Sequence, residues 1–322
     1  MAFHDSRVFV TGATGLLGSQ LVRLLIERGA KVVALVRDSV PRSLFYQDGL
    51  DKQVISVRGE LEDFALLERT INEYSIDTIF HLAAQAIVPT ANRGPLATFE
   101  TNIGGTWKLL EAARLHQPQV KRIVIASSDK AYGALDVESY DETNALRGEH
   151  PYDVSKSCAD LIARSYWKSF DLPVAITRCG NLFGPGDLNE SRIIPGAIAR
   201  ALKGLPPIIR SDGTPIRDYL FAPDAAEAYL TLAEAMVGGA HGGEAFNFSY
   251  GLRLSAREVV DKVLVAVKRT DLVPIVLNQA PNEIAIQTLD SKKARAVLGW
   301  SPRIGFDEGL ARTVAWYQGS SA

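Results

Sequence analysis

The sequence predicts an α/β protein built on a doubly wound parallel sheet, with a smaller C-terminal lobe. Short apolar runs alternate with segments of helical periodicity over the first 180 residues, which is typical of a parallel sheet. The first apolar run leads into a glycine-rich turn, and the regular alternation ends at a turn-rich loop from Asn181 to Asp187. These observations indicate the fold class and the point where a second lobe begins.

The predicted elements of the main domain follow in order along the chain. Strands are expected at 7–10, 31–36, 53–57, 77–82, 121–126 and 173–178, with helices at 16–28, 63–73, 98–116 and 151–170. We expect residues 1–180 to form the main domain, to which 214–235 and a strand at 245–248 return. The remaining segments, 181–213 and 236–322, are expected to form the smaller substrate-binding lobe.

The first predicted strand leads into a glycine-rich turn and then into a helix. Gly12 permits the turn, Gly15 lets backbone N–H groups approach a phosphate, and Gly18 allows close packing of the helix. The spacing is Gly-x2-Gly-x2-Gly. Its position between a strand and a helix predicts a nucleotide-phosphate site in a Rossmann-like domain.

Two polar side chains stand four residues apart at the start of the helix predicted over 151–170. Tyr152 and Lys156 share one face of that helix, because residues i and i+4 lie a turn apart. A nearby cation favours the phenolate, so we expect Lys156 to lower the pKa of Tyr152. Such a pair can exchange a proton with a hydroxyl, although the same spacing is also common on solvated helix faces.

The composition is that of an ordinary globular protein. The 322 residues are 47% hydrophobic and 22% charged, with a formal net charge of −2. This balance lacks the basic surplus typical of nucleic-acid binding, and no apolar run approaches the length of a membrane span. Cys158 and Cys179 are too few for a disulfide framework, and the five histidines lack metal-ligand spacing. We therefore expect a cytoplasmic protein without a metal, a nucleic-acid partner or a membrane anchor.

Motifs along nearly the whole chain resemble one family. They are Gly12, Gly15 and Gly18, the segment 81–85, Thr101-Asn102, Ser128, Tyr152 with Lys156, and the segment 217–219. Together they are similar to the extended short-chain dehydrogenase/reductase family that acts on nucleotide-activated sugars. The resemblance implies an NAD(P)-dependent nucleotide-sugar epimerase or dehydratase.

Within this family, Ser128-Asp129-Lys130 resembles the triplet of CDP-glucose 4,6-dehydratases. Sugar 4-epimerases usually carry small or hydroxyl residues at 129 and 130. The resemblance implies that Tyr152, supported by Lys156, takes the C4 hydroxyl proton while Ser128 binds that oxygen. Lys130 then removes the C5 proton, and Asp129 protonates the departing C6 hydroxyl. The alternative is that Asp129 and Lys130 form a solvated turn.

The function expected from this resemblance is that of a nucleotide-sugar 4,6-dehydratase. It would convert a CDP-glucose-like NDP-hexose into the NDP-4-keto-6-deoxy-hexose. The alternatives are a nucleotide-sugar 4-epimerase and a 5-inverting C6 dehydratase. A redox sensor or scaffold would not need Ser128, Tyr152 and Lys156 together.

The resemblance also implies a set of cofactor-binding residues. They are Gly12, Thr14, Gly15, Leu16, Leu17, Gly18, Arg37, Glu60, Leu61, Leu82, Ala83, Ala84, Gln85, Asn102, Tyr152 and Lys156. Val36 stands where NAD enzymes carry an acidic ribose ligand, and Arg37 suits a 2′-phosphate, which favours NADP slightly over NAD. Asp38 would be the ribose ligand if the register is shifted by two residues.

Substrate contacts are expected from residues that can hold a sugar nucleotide. They are Gln85, Ser128, Asn181, Arg192, Arg210 and Arg217. Arginines suit a diphosphate because the guanidinium offers several donors in a fixed geometry. The resemblance further implies a homodimer formed through the helices predicted at 98–116 and 151–170, and leaves the base of the nucleotide open.

Overall fold

The computed structural model describes residues 3–279 and 283–320. The strands in this part of the chain are β1 (Arg7–Thr11), β2 (Lys31–Val36), β3 (Ile55–Arg58), β4 (Thr78–His81), β5 (Arg122–Ala126), β6 (Val174–Cys179), β7 (Asn181–Phe183), β8 (Ile208–Ile209), β9 (Ile216–Arg217), β10 (Tyr219–Phe221), β11 (Ala245–Phe248), β12 (Leu254–Ser255), β13 (Ile275–Val276) and β14 (Ile286–Gln287).

Seven of these strands form the central sheet, in the order β11-β6-β5-β4-β1-β2-β3. Every neighbouring pair is parallel. The strand order changes direction between β1 and β4, which is where ligands bind in open sheets of this kind. The predicted fold class, a doubly wound parallel α/β sheet, is confirmed.

The helices alternate with these strands. They are α1 (Leu16–Glu27), α2 (Leu44–Gln47), α3 (Phe64–Glu73), α4 (Val88–Arg93), α5 (Pro95–Phe99), α6 (Gly105–Leu115), α7 (Pro151–Phe170), α8 (Ile193–Leu202), α9 (Ala222–Ala235), α10 (Ala256–Val267), α11 (Lys292–Leu298) and α12 (Phe306–Ser320). The helix predicted at 98–116 is observed over 98–115, where a π-helical turn over Glu100–Gly104 joins α5 to α6 without a break.

Two apolar layers cover the central sheet because its strands send alternate side chains to opposite faces. On one face Val8 and Val10 belong to a cluster that includes Leu21 of α1. On the other face Phe9 belongs to a cluster that includes Leu67 of α3 and Leu109 of α6. The near-continuous apolar run of β1 is therefore buried on both sides.

A third apolar cluster lies in the C-terminal half. It includes Phe183, Ile198 of α8, Val260 of α10 and Leu310 of α12. The proposed boundaries of the main domain and the smaller lobe stay a prediction, and their ranges include residues 1–2, 280–282 and 321–322, which lie outside the described residues. None of the helices in the described ranges is long and apolar enough to cross a bilayer.

Candidate active site

A cavity of about 1240 Å³ opens at the carboxyl ends of the central strands. This volume exceeds the roughly 300–1,000 Å³ of a usual single-ligand site, so it has room for two ligands side by side. The predicted site residues that line it are Gly12, Thr14, Gly15, Leu16, Leu17, Gly18, Arg37, Leu61, Leu82, Ala83, Ala84, Ser128, Asp129, Lys130, Tyr152, Lys156, Asn181, Arg192, Arg210 and Arg217.

The glycine turn has a shape that side chains would block. Gly12 has φ +74°, and a Cβ added there would lie 2.7 Å from the backbone N of Ala83. A Cβ on Gly18 would lie 2.0 Å from the carbonyl oxygen of Gly12. Helix α1 begins after Gly15 without a side-chain cap, so its positive N-terminus is available to an anion. This cradle fits the pyrophosphate of a dinucleotide.

Glu60, Gln85 and Asn102, which were predicted to contact the cofactor, are not among the cavity-lining residues of the described ranges. Asn102 Oδ1 accepts a hydrogen bond from the backbone N of Gln85 at 2.7 Å, and its Nδ2 donates to Ser155 Oγ at 2.9 Å. Asn102 therefore fastens the loop after β4 to helix α7. In this arrangement it supports the cavity wall from behind.

His81 is a structural side chain at the end of β4. Its Nδ1 lies 2.8 Å from Thr11 Oγ1 and its Nε2 lies 3.0 Å from Thr106 Oγ1. Burial lowers the pKa of His81 to about 3, with a smaller contribution from Lys156, so the ring is neutral at physiological pH. No group of three or more metal-ligating side chains occurs among residues 3–279 and 283–320.

Tyr152 and Lys156 both line the cavity from helix α7. The helix begins at Pro151, since proline suits the first helical position. Lys156 Nζ donates to the carbonyl oxygen of Ala126 at 2.8 Å and lies 6.0 Å from the centre of the Tyr152 ring. Burial lowers the pKa of Lys156 to about 8. The ammonium is thus fixed between the end of β5 and the phenol.

The expectation that Lys156 lowers the pKa of Tyr152 is wrong for this arrangement. Removal of the phenol from solvent raises its pKa to about 12, and a hydrogen bond with Ser128 opposes this rise only in part. The nearby Asp129 carboxylate raises it further. Tyr152 is therefore a neutral phenol at physiological pH, and a further positive charge beside it is needed to favour the phenolate.

The triplet Ser128-Asp129-Lys130 forms a buried turn directly after β5. Ser128 Oγ donates to Asp129 Oδ1 at 2.9 Å and accepts from the backbone N of Lys130 at 3.2 Å. Lys130 Nζ lies 3.4 Å from Asp129 Oδ2. Only 3% of the Asp129 side chain and 21% of the Lys130 side chain are exposed, so the pair is not a solvated turn.

Gln287 of β14 also reaches this turn, and sequence reasoning missed it. Its Oε1 accepts a short hydrogen bond from Lys130 Nζ, and its Nε2 donates to the carbonyl oxygen of Asp129 at 3.2 Å. Gln287 is completely buried. Nothing in the pattern around a two-residue strand signals a contact with a side chain 157 positions earlier.

Three arginines from the C-terminal half of the chain also line the cavity. Arg217 Nη2 lies 2.8 Å from Glu283 Oε1, and Arg192 Nη1 lies 3.2 Å from Asp187 Oδ2. Arg210 lines the same region, and Asn181 Nδ2 donates to the carbonyl oxygen of Asp218 at 3.1 Å. This wall offers cationic donors suited to a diphosphate. Asp187, whose pKa is raised by burial, is a lining residue that sequence reasoning did not single out.

Arg37 and Asp38 follow β2 and line the cavity on its other side. Arg37 Nε lies 2.7 Å from Asp38 Oδ2, and more than half of each side chain is exposed. An exposed pair of this kind contributes little to stability and leaves the guanidinium free to exchange partners. The two side chains favour opposite cofactors, since Arg37 suits a 2′-phosphate and Asp38 a ribose hydroxyl.

A doubly wound sheet with this glycine turn and with Ser128, Tyr152 and Lys156 around one cavity defines the extended short-chain dehydrogenase/reductase class. The sequence model of the family described as GDP-mannose 4,6 dehydratase matches residues 9–313. The chain belongs to this family, and the resemblance predicted from its motifs is confirmed.

Individual relatives include both dehydratases and epimerases. The CDP-glucose 4,6-dehydratase of Salmonella typhimurium is 34% identical over 98% of this chain and 91% of its own. The crystal structure of a Streptomyces venezuelae dTDP-glucose 4,6-dehydratase with NAD bound superposes with a TM-score of 0.86 and 30% identity, covering 97% of both chains. The UDP-glucose 4-epimerase of Thermotoga maritima has a TM-score of 0.88 and 26% identity, covering 98% of this chain and 100% of its own.

Proposed function

We propose that this protein is a nucleotide-sugar 4,6-dehydratase that converts a CDP-glucose-like NDP-hexose into the NDP-4-keto-6-deoxy-hexose. The observation that carries the proposal is the buried Asp129–Lys130 pair beside Ser128 and Tyr152. An epimerase acting at C4 needs no acid and base for C5 and C6, whereas elimination of water needs both. The dehydratase relatives support the same reaction.

The overall reaction is redox-neutral. C4 of the sugar is oxidised and C6 is reduced by the same two electrons, while one water leaves across C5 and C6. A bound NAD(P) cofactor supplies the acceptor and then the donor of these electrons. The glycine turn, Leu61, Leu82, Ala83 and Ala84 are proposed to hold this cofactor, because all of them line the cavity and Gly12 lies beside Leu82 and Ala83.

The first proposed proton transfer takes place at the C4 hydroxyl of the sugar. A bound oxidised nicotinamide would add the further positive charge that favours the phenolate of Tyr152. As the phenolate, stabilised through space by Lys156, Tyr152 accepts the proton of the C4 hydroxyl. Ser128 Oγ, already in contact with Tyr152, holds the C4 oxygen. A carbonyl at C4 makes the C5 proton acidic, which prepares it for removal by a base.

Asp129 and Lys130 complete the elimination together. Lys130, as a neutral amine, takes the C5 proton, and the protonated Asp129 gives its proton to the C6 hydroxyl, which leaves as water. The pair then holds an ammonium and a carboxylate, with the same total number of protons as before. One proton transfer between Lys130 Nζ and Asp129 Oδ2, 3.4 Å apart, restores the pair. Once C6 is reduced, C5 takes the proton still held by Tyr152, which returns Tyr152 to the phenolate.

Arg192, Arg210, Arg217 and Asn181 are proposed to hold the sugar nucleotide by its diphosphate. They line the same cavity as the glycine turn and Tyr152, so both ligands would share it. Gln85, predicted as a further substrate contact, hydrogen-bonds Ile87 through its side chain instead. Its part in substrate binding remains a proposal that needs a movement of this loop.

The proposal is tested by incubating the protein with a panel of nucleotide sugars. We expect one product that is lighter than its substrate by one water, with no accumulation of reduced cofactor. A reduced cofactor that appears in proportion to substrate would indicate a simple dehydrogenase. A product of unchanged mass inverted at C4 would establish the epimerase, and water loss with inversion at C5 would establish the 5-inverting dehydratase.

We infer that Arg37 accepts the 2′-phosphate of NADP, which favours NADP slightly over NAD. Arg37→Ala should weaken NADP binding by about 1.5–3 kcal/mol, since it removes a charge-assisted partner, and should barely affect NAD. The measurement is calorimetric titration with each cofactor. Asp38→Asn is the matched control and should weaken NAD instead. Equal weakening of both cofactors by Arg37→Ala would contradict the assignment.

A homodimer is the proposed assembly. Leu96 on α5, Trp107 on α6 and Leu161 on α7 are apolar side chains left 70%, 46% and 53% exposed, and α5 and α6 both contact α7. Burying such side chains between two copies would stabilise a dimer, and a light-scattering mass of one chain would contradict it.

The unpaired Cys158 and Cys179 favour the proposed cytoplasmic location, which cell fractionation would test.

A further inference from the structure

Gln287 stands out because it is a fully buried amide that binds both members of the acid–base pair. We propose that Gln287 is a positioning residue, which fixes Lys130 Nζ beside Asp129 without adding a charge. The proposal rests on the proposed function of Lys130 and Asp129. It assigns a role to β14, in the C-terminal part of the chain.

The backbone that carries Gln287 is held from two sides. Ile286 and Gln287 pair in parallel with Ile216 and Arg217 of β9. On the other side, Tyr140 Oη donates to the carbonyl oxygen of Ile286 at 3.4 Å. The amide is therefore presented from a fixed strand, as the support of a catalytic side chain requires.

The two ends of the amide have different partners, and these partners determine its orientation. The carbonyl oxygen of Asp129 can only accept, so it must face the Nε2 of Gln287. Oε1 then faces Lys130 Nζ and holds one of its N–H bonds. Gln287 therefore occupies only one N–H of the Lys130 amino group. The rest of the group remains available to Asp129 and to the cavity, which Lys130 also lines.

The charges around Lys130 explain why a neutral side chain suits position 287. Asp129 precedes Lys130 in the same turn, and the charge of Lys130 lowers the pKa of Asp153 on α7. The Arg217–Glu283 ion pair lies beside β14, since Arg217 pairs with Gln287 between β9 and β14. The elimination needs Lys130 as a neutral amine. A further carboxylate in contact with Nζ would hold Lys130 as an ammonium, whereas an amide leaves the proton free to move to Asp129.

The experiment compares Gln287→Glu and Gln287→Leu with the wild type in steady-state assays of water elimination across the pH range. Gln287→Leu removes the hydrogen bonds and should lower kcat by about 10²-fold with little change in KM, since misplacement of a catalytic group by about 1 Å has an effect of this size. Gln287→Glu keeps the size and shape of the side chain but places a carboxylate beside Lys130 Nζ. It should therefore move the ascending limb of the kcat–pH profile to higher pH by about 1–3 pH units.

Thr288→Val is the matched control. Thr288 is the next residue along the chain, and its Oγ1 donates to the carbonyl oxygen of Glu138 rather than to the catalytic turn. The variant loses one buried hydrogen bond and should keep the wild-type pH profile. Circular dichroism of each variant checks folding, and if Gln287→Leu does not fold, Gln287→Glu decides alone.

The result that would overturn the proposal is a Gln287→Glu enzyme whose ascending limb coincides with that of the wild type, whatever its kcat. A lower kcat with an unchanged profile would mean that Gln287 only supports the fold. The proposed function is tested separately, because the wild type alone must release the dehydrated product with solvent deuterium at C5. A wild type that fails this test refutes the dehydratase, while an active wild type with unaffected variants refutes only the role of Gln287.

Discussion

Lys130→Ala is expected to abolish elimination of water while leaving binding of the sugar nucleotide largely intact. Lys130 is the base nearest Asp129 in the cavity, and proton transfer by a positioned group contributes about 10²–10⁴-fold to the rate. Asp129→Asn should cause a loss of similar size, because an amide cannot donate the proton that the C6 hydroxyl needs. Turnover in D₂O gives the clearest measurement: the wild type should place solvent deuterium at C5, and Lys130→Ala should not.

Lys293→Ala is a suitable control for this substitution. Lys293 is comparably enclosed, with 29% of its side chain exposed, and pairs with Glu244 at 2.7 Å, but it is not among the cavity-lining residues of the described ranges. We expect it to retain deuterium incorporation. A Lys130→Ala enzyme that still exchanges the C5 proton at the wild-type rate would remove the basis of the dehydratase proposal.

Tyr152→Phe is expected to stop the reaction before the elimination begins. The phenol is the proton acceptor for the C4 hydroxyl, so its removal should lower kcat by about 10²–10⁴-fold. Without a carbonyl at C4 the C5 proton is not acidic, and deuterium exchange at C5 should disappear together with product formation. Rapid-quench analysis of bound sugar should find only unreacted substrate.

Tyr166→Phe is the matched control on the same helix. Its hydroxyl donates to Glu111 Oε2 at 3.2 Å, and Tyr166 is not among the cavity-lining residues of the described ranges. The substitution therefore removes a phenol oxygen, as Tyr152→Phe does, but outside the cavity. The variant should turn over at the wild-type rate. Substantial activity in Tyr152→Phe, with Tyr166→Phe unchanged, would show that another group accepts the C4 proton.

The strands and the glycine turn could be predicted because local sequence determines them. Val8 and Val10 point to one face of β1 and Phe9 to the other, so an uninterrupted apolar run indicates a strand buried on both sides. The glycine positions are likewise local, since Gly18 contacts the Gly12 carbonyl only six residues earlier. Hence the cofactor cradle was predictable from a single stretch of chain.

The π-helical turn within the helix predicted at 98–116 could not be foreseen from periodicity. A π-helical turn adds one residue to a turn without changing which residue types occur there. The turn carries Asn102, whose amide bonds Gln85 and Ser155. These partners lie outside the helix, so the contacts that accompany the π-helical turn exist only in the folded protein.

The pKa of Tyr152 and the contact of Gln287 were missed for a related reason. The i,i+4 spacing correctly places Lys156 near the phenol, but it carries no information about how far the phenol is removed from solvent. That removal outweighs the charge 6.0 Å from the ring. Gln287 comes from a strand whose position depends on its pairing with β9, which no local pattern encodes.

The contact between Lys130 and Gln287 has a consequence for how the protein matures. It joins side chains 157 positions apart, whereas the cofactor cradle is closed within seven residues, from Gly12 to Gly18. Long-range contacts of this kind cost more loop-closure entropy and form later than local ones. During synthesis the glycine turn leaves the ribosome long before β14 does. The residues of the glycine turn are therefore synthesised first, and the catalytic acid–base pair reaches the geometry described here only when β14 is in place.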